Sequence, residues 1–440
     1  MTSQRRTFSL GRLETQSWYR WIVFAVSNLA FTFGVMFVSL GIIVPDIMRD
    51  FSIEARQAGL LISIYSYIYA LMQIPGGALA DRAGPRRVMS VFLAAGAGGM
   101  ILFSQAATFS LALIARVLIA LGVSVLYVNK VKVLRGWFKA DQFATAMGLG
   151  SSVGSVGRLL AAPFLAALVG HFGWRTTYSA VGFFNLTFAV ACWVFIRDRD
   201  PALTDEPDAT EVATPTLPTP SVLEAISMCF GNWQFVALFF VALLSYGGLM
   251  GGTGAWGIPF LMQGYEMSRV NAALLMTSMG VLSLISGPVW GHVSDKRLRA
   301  RKPVLLIGLF GLILTALPLA TMAAKLTIPS IAIIMATRGL FTSALLLSYT
   351  MANELVPASI VGVAMACLNM GPYIGGGIYQ ALSGFILGTP ASYAADGTPI
   401  YTVGAYQSVF MPAVLAGLVA VFITLLVRET IRREPSETTS

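Results

Sequence analysis

A chain of 440 residues that is 56% hydrophobic and only 11% charged, with mean hydropathy +0.75, carries more apolar surface than a water-soluble globule can hide. It needs lipid as solvent. The net charge of +9 would suggest a nucleic-acid partner if it formed a patch, but its basic residues fall on one side of the apolar runs, which excludes that reading.

Twelve stretches of about 20 apolar residues, enough for a helix to cross roughly 30 Å of hydrocarbon, lie at 21–43, 58–79, 88–105, 109–131, 143–168, 176–196, 235–259, 270–292, 303–323, 328–352, 361–387 and 408–427. They are continuous, whereas barrel strands alternate over about ten residues, so a β-barrel is excluded. The first 20 residues are polar and basic, without the apolar core and cleavage site of a removable signal; 1–20 reads as a cytoplasmic segment and the first helix as the targeting element. Residues 197–234 read as a cytoplasmic linker, and Arg197–Pro220, rich in Pro, Thr and acids, as disordered. The linker separates a six-helix bundle, 21–196, from a second, 235–427, which leaves a cytoplasmic tail, 428–440. The expected fold is an all-α integral membrane protein with twelve transmembrane helices in two pseudo-symmetric bundles and both termini cytoplasmic.

With that orientation, 21 of the 29 lysines and arginines fall in inner segments and 5 in outer ones. This bias obeys the positive-inside rule and points to a multi-pass plasma-membrane protein, in a bacterium the inner membrane. Three arginines remain inside the apolar stretches: Arg116, Arg158 and Arg338. Cys192, Cys229 and Cys367 have no paired or metal-ligand spacing and are expected as free thiols. His171 and His292 fall at membrane edges, and no zinc-protease motif, phosphate loop or carboxylate pair appears. No enzyme activity, cofactor or metal is expected.

The stretch GGALADRAGPRR (Gly76–Arg87) places a carboxylate and three arginines directly after an apolar run. The pattern returns 214 residues on, in WGHVSDKRLRARK (Trp290–Lys302), where Gly77 falls on Gly291 and Asp81 on Asp295. At slightly different offsets Arg116 meets Arg338 and Gly157 meets Gly375. A duplicated six-helix unit follows, the symmetry of secondary transporters built from parallel repeats.

Gly77, Leu79, Asp81, Arg82, Gly84, Arg86 and Arg87 resemble the G-x-L-x-D-R-x-G-x-R-R loop of the major facilitator superfamily. ARVLIALG (Ala115–Gly122) resembles that family's fourth-helix motif, and GWF (Gly136–Phe138) and FGWR (Phe172–Arg175) its following loops. The resemblance implies a latch: Asp81, Arg82, Gly84, Arg86 and Arg87 would steady the outward-open state. Physically, a carboxylate past one helix end can accept from the free N–H groups opening another. A solvated basic loop would explain the arginines but not the repeated aspartate. In the second copy Lys296 replaces the arginine and Leu298 the glycine, so Asp295 should latch more weakly.

A charge near mid-bilayer costs a few kcal/mol even on lenient scales and normally faces a partner or a water-filled cavity. No Asp or Glu lies at comparable depth; Glu354 is some 24 Å along the helix from Arg338 at 1.5 Å rise. Arg158 matches Gly376 in the second repeat, so a symmetric scaffold would not require it, and its fork suits a carboxylate or phosphate. Arg116 and Arg338 could equally be structural or contact ligand. Lys130, Lys132 and Arg135 read as topology anchors. Asn28, Tyr65, Tyr246, Asn369 and Tyr373 could complete a pocket, with Thr32 and Tyr69, though interhelical hydrogen bonding would account for each.

Glycines in YGGLMGGTGAWGIP (Tyr246–Pro259) and GPYIGGG (Gly371–Gly377) are expected to interrupt the seventh and eleventh helices, with close packing as the alternative for the second. GPYIGG also resembles the antiporter signature of drug exporters, which belongs on the fifth helix. The leading expectation is a monomeric secondary transporter that moves a small organic anion by alternating access, with protons as a coupling ion or by anion exchange, similar to the family's metabolite symporters. The alternative is a multidrug or metabolite exporter with proton antiport, for which an acid deep in the N-terminal half would be needed. A transporter-like sensor or channel is a third class, for which an extra signalling domain would be needed.

Overall fold

The computed structural model describes residues 18–36, 40–199 and 220–431. The 1–20 and 428–440 segments and the disordered stretch expected in the linker therefore fall largely outside the described residues. Helix occupies most of each of the twelve apolar stretches. The first is Tyr19–Met36; the second is a pair, Ala55–Leu71 and Gln73–Ala83, bent by 52°. The third to sixth are Pro85–Gln105, then Phe109–Ser124 continued by Leu126–Trp137, then Ala140–Phe172 and Trp174–Phe195. The second half holds Trp233–Leu249 and Trp256–Gly264, Arg269–His292, Lys302–Thr321, Ile328–Thr342 with Leu347–Glu354, Val361–Leu387 and Val403–Leu426. Ten helical runs are each long and apolar enough to cross a membrane and the bent pair makes an eleventh; the described part of the first helix is shorter.

Local sequence sets where these helices begin. Thr108, Ser221, Asn232, Ser268, Thr327 and Thr402 each accept from a backbone N–H two or three residues on, which satisfies a donor the first turn cannot pair. Large side chains such as Leu160, Phe164, Phe183, Phe310, Phe385 and Phe422 remain exposed on the outer faces. In lipid that exposure costs nothing, because the acyl chains are as apolar as the side chains they meet.

Three features differ from the sequence reading. Val222–Gly231 is a helix within the expected linker, opened by a Ser221/Glu224 capping box and burying Ala225 and Cys229 against the second half. A short antiparallel hairpin, Ser392–Tyr393 with Pro399–Ile400, qualifies the all-α expectation. Glycine also acts differently in the two rich segments. Met250–Ala255 is a π-helical turn that breaks the seventh helix, whereas Val361–Leu387 runs unbroken through GPYIGGG. There the glycines serve close packing: a Cβ on Gly375 would lie 2.0 Å from the Leu243 carbonyl oxygen.

The two halves share one end at which Tyr19 donates to the Phe195 carbonyl (2.8 Å) and the Arg428 N–H donates to Gln234 (3.2 Å). This is the termini end; the opposite one is the loop end. The longest seam between the halves joins the second and eleventh stretches. It starts at the loop end, where a Cβ on Gly384 would lie 2.3 Å from the Ala55 carbonyl oxygen, so only glycine admits this approach. The fifth and eighth stretches meet along the other side, Leu159 against Gly280.

Candidate functional site

Beside that second seam lies a cavity of about 540 Å³, within the usual range for small-ligand sites. Arg158 lines it, and its guanidinium donates to the Ser155 hydroxyl (3.1 Å) one turn earlier on the same helix face. The opposite wall is the eighth stretch, from Met276 to Gly287. Thr253 and Gly254 of the π turn close one side. Among the described residues no Asp, Glu or His lines this space, so the Arg158 charge faces it without a carboxylate.

Lys130, read from sequence as a topology anchor, is 1% exposed. Its ammonium sits over the rings of Phe31 (4.6 Å) and Tyr127 (5.2 Å), close enough to Arg158 for their like charges to repel. Aromatic faces thus hold a buried cation beside the exposed Arg158, where an acid would have neutralised it. Its signal in the sequence was its place inside the apolar run 109–131, before the polar end.

The other expected site residues divide into separate groups. Arg116 is buried in the first half with its guanidinium over Tyr65 (5.2 Å). Arg338 lies in the second half and donates to the Leu312 carbonyl (3.2 Å) and the Thr315 hydroxyl (3.4 Å). It borders a separate small void with Ser245 and Leu309. Asn28 donates to the Phe24 carbonyl (2.8 Å) and packs so tightly on the fifth helix that a Cβ on Gly150 would lie 2.2 Å from its side-chain oxygen. Tyr246 packs in the core of the second half. Asn369 and Tyr373 join the halves instead of lining the cavity: Asn369 donates to Gln73 (3.0 Å) and accepts from Tyr349 (3.0 Å), and Tyr373 stacks on Tyr69 at 4.0 Å. Gln73, Tyr349, Ser155 and Thr277 were not singled out from sequence; Ser155 alone had a usable signal, its i−3 spacing from Arg158.

At the termini end, the repeated loop does not join the halves through Asp81. That carboxylate pairs with Lys132 (2.5 Å), whose ammonium also donates to the Gly77 carbonyl (2.8 Å). The N–H groups that open the third helix are taken by another acid: Asp198 accepts from the Arg86 N–H (2.8 Å). Gly84 turns there with φ +79°, and a Cβ would lie 2.4 Å from the Asp198 carboxylate. Arg86 donates to the Trp193 carbonyl (2.8 Å) and covers its ring at 5.0 Å, while Arg82 and Arg87 are exposed. In the second copy Asp295 pairs with Arg301, which also binds Glu354 (3.2 Å). Arg299 supplies the left-handed turn, φ +46°, one position after Leu298, which stands where the motif has glycine.

At the loop end ion pairs do cross between the halves. Asp46 meets Arg269 at 2.6 Å, Arg49 meets Asp396 at 3.3 Å, and the Ala55 N–H donates to the Tyr401 hydroxyl (2.9 Å). Asp50 anchors the first half beneath them. Burial favours its neutral form, but hydrogen bonds from Trp174 (2.9 Å), Arg49 (3.0 Å) and Arg175 (3.2 Å) outweigh this and hold it below the ordinary aspartate value. Among the described residues no group of three or more His, Cys, Asp or Glu could hold a metal ion.

This architecture has close parallels. The chain is 25% identical over 415 residues to the hexuronate transporter of Bacillus subtilis (strain 168), covering 90% of each chain. It is 21% identical over 413 residues to the probable sulfoacetate transporter SauU of Cupriavidus necator, covering 86% of this chain and 90% of that protein. Its fold matches a bacterial homolog of the human lysosomal transporter Spinster, crystallised inward-facing and unoccupied, with TM-score 0.75 at 20% identity over 95% of this chain and 99% of that one. The nucleoside transporter NupG, as its D323A mutant, matches with TM-score 0.73 at 14% identity over 93% and 99%. The family model for the Major Facilitator Superfamily matches residues 24–378, with a second match over 238–440. The repeated loop, the two helical halves and the cavity between them therefore fit a membrane transporter, and the chain belongs to the major facilitator superfamily.

Proposed function

We propose that this chain is a secondary transporter that carries a small organic anion by alternating access, with twelve spans and both termini cytoplasmic. The carrying observation is Arg158, a fixed guanidinium on the wall of a cavity between the halves with no carboxylate facing it. Lys130 adds positive potential from its aromatic cage. An arginine cannot lose its proton and can grip a carboxylate bidentately, so the cavity favours an anion at any physiological pH. Relatives named for hexuronate and sulfoacetate support the same chemical class.

In this reading the loop end faces outward and is shut by Asp46–Arg269 and Arg49–Asp396. At the termini end the ion pairs of Asp81 and Asp295 stay within their own halves, which leaves that side free to part. Arg116 and Arg338 brace the two halves, and Arg158 alone of the three holds substrate. A proton carried with the anion drives the cycle, giving symport. Uptake of labelled monocarboxylates and dicarboxylates into proteoliposomes, with and without an inward pH gradient, tests this. Carboxylate accumulation that grows with the gradient is expected; accumulation of neutral or cationic solutes only would contradict it.

A further inference from the structure

The cavity says more about its cargo than the sign of its charge. Apart from Arg158, its walls are mostly Leu159, Ala162, Ile258, Met276, Met279 and Leu284. Of its hydroxyls, Thr253 donates to the Leu249 carbonyl (2.7 Å) and Thr277 to the Ala273 carbonyl (2.8 Å), so their protons are already used. Ser155 accepts from Arg158 and keeps its own proton, and Ser283 adds one further hydroxyl, so two serine donors remain for a ligand. Among the described residues no Asn, Gln, Asp or Glu lines the space.

The amides that could have turned inward are engaged elsewhere. Asn28 is packed on Gly150, and Gln73 and Asn369 bond to each other across the halves. A polyhydroxylated acid brings several donors and acceptors that lose water on entry, and each needs a protein partner or costs affinity. This wall offers few. An apolar body meets the reverse situation: the methionines adapt to its shape, and each buried methylene improves binding about fourfold.

Resting on the organic-anion reading above, we infer that the cargo is a monocarboxylate with an apolar aliphatic or aromatic body, its carboxylate on Arg158 and its body against the methionine wall, and not a sugar acid. The specificity thus departs from the hexuronate in a relative's name. A site with two free serine hydroxyls beside its arginine cannot pair all the hydroxyls of a sugar acid, and it rejects those it leaves unpaired.

The matched pair cyclohexanecarboxylate and D-glucuronate tests this, because both present a carboxylate on a six-membered ring and differ in the oxygens around it. Calorimetric titration of the full chain in nanodiscs should give cyclohexanecarboxylate at least tenfold tighter binding than D-glucuronate. Arg158→Gln should weaken the former at least tenfold, and Arg158→Lys less. D-glucuronate binding as tightly as, or more tightly than, cyclohexanecarboxylate would overturn the inference and leave the organic-anion reading standing. Cyclohexylmethanol binding as tightly as cyclohexanecarboxylate would overturn that underlying reading as well. Binding of neither carboxylate would also overturn the inference.

Discussion

Asp46 in the first half and Arg269 in the second lie 2.6 Å apart, both largely shielded from solvent, and so tie the two bundles together at the loop end. A pair with little solvent around it is screened weakly, and removal of one partner leaves the other charge stranded. Asp46→Asn should therefore open the loop end, raising at least threefold the labelling rate of a cysteine placed at buried Leu40, beside the close approach of Gly41 to Gly254. An unchanged labelling rate would mean that the pair does not hold the gate.

Asp198 and Glu429 each stand three residues beyond the last helix of their half and perform the same task. Asp198 accepts from the N–H of Arg86, and Glu429 from those of Arg301 (2.9 Å) and Lys302 (3.1 Å), so both cap the third helix of their own half. Loss of a cap of this kind costs about 1 kcal/mol. Asp198→Ala and Glu429→Ala should each lower thermal stability by a few degrees, with effects that add in the double variant because the sites lie in different halves. Non-additive losses would show that the caps communicate.

Asp81 pairs with Lys132 in the closed-loop-end arrangement and is the residue the family motif would use in the opposite one. Asp81→Asn should then slow turnover several-fold while leaving substrate affinity within about twofold, since the cavity is untouched. Transport kinetics in proteoliposomes separate the two quantities, and an unaltered turnover would remove Asp81 from the cycle.

The Asp50 cluster predicts a response to acid. Its folded-state value lies below the ordinary 3.8, so the unfolded chain takes up the proton first as pH falls. Its contribution is fully present above about 3.8 and is lost as pH drops through the lower folded value. Thermal melts of the wild type and Asp50→Asn should differ at neutral pH and converge below that window. A difference that persists in strong acid would assign the effect to packing against Trp174.

Much of the architecture was legible because apolar length and the Gly77/Gly291 repeat are strong, local signals. The repeat of the caps was hidden by drift. Matched residues are 214 apart at Gly77 and Gly291, 222 at Arg116 and Arg338, and 231 at Asp198 and Glu429, because equivalent loops differ in length. That these charges sit in apolar runs was readable, and the direction each points was not. Arg116, Arg158 and Arg338 look alike as charges in apolar runs, yet only Arg158 lines the large cavity, a matter of which helix face each occupies. Lys130 shows the converse: a residue near a span's polar end can be buried when Phe31 and Tyr127 fold over it. The eleventh helix stays whole through GPYIGGG because Leu243 and Gly247 press against Gly375, a neighbour relation across more than a hundred residues.

The central claim is that Arg158 holds the transported anion, and uptake of a labelled carboxylate by Arg158→Gln measures it most directly. A hydrogen-bonded charge contact contributes about 1.5–3 kcal/mol, so the half-saturating concentration should rise tenfold or more, with Arg158→Lys in between. Wild-type affinity and rate in Arg158→Gln would contradict the account.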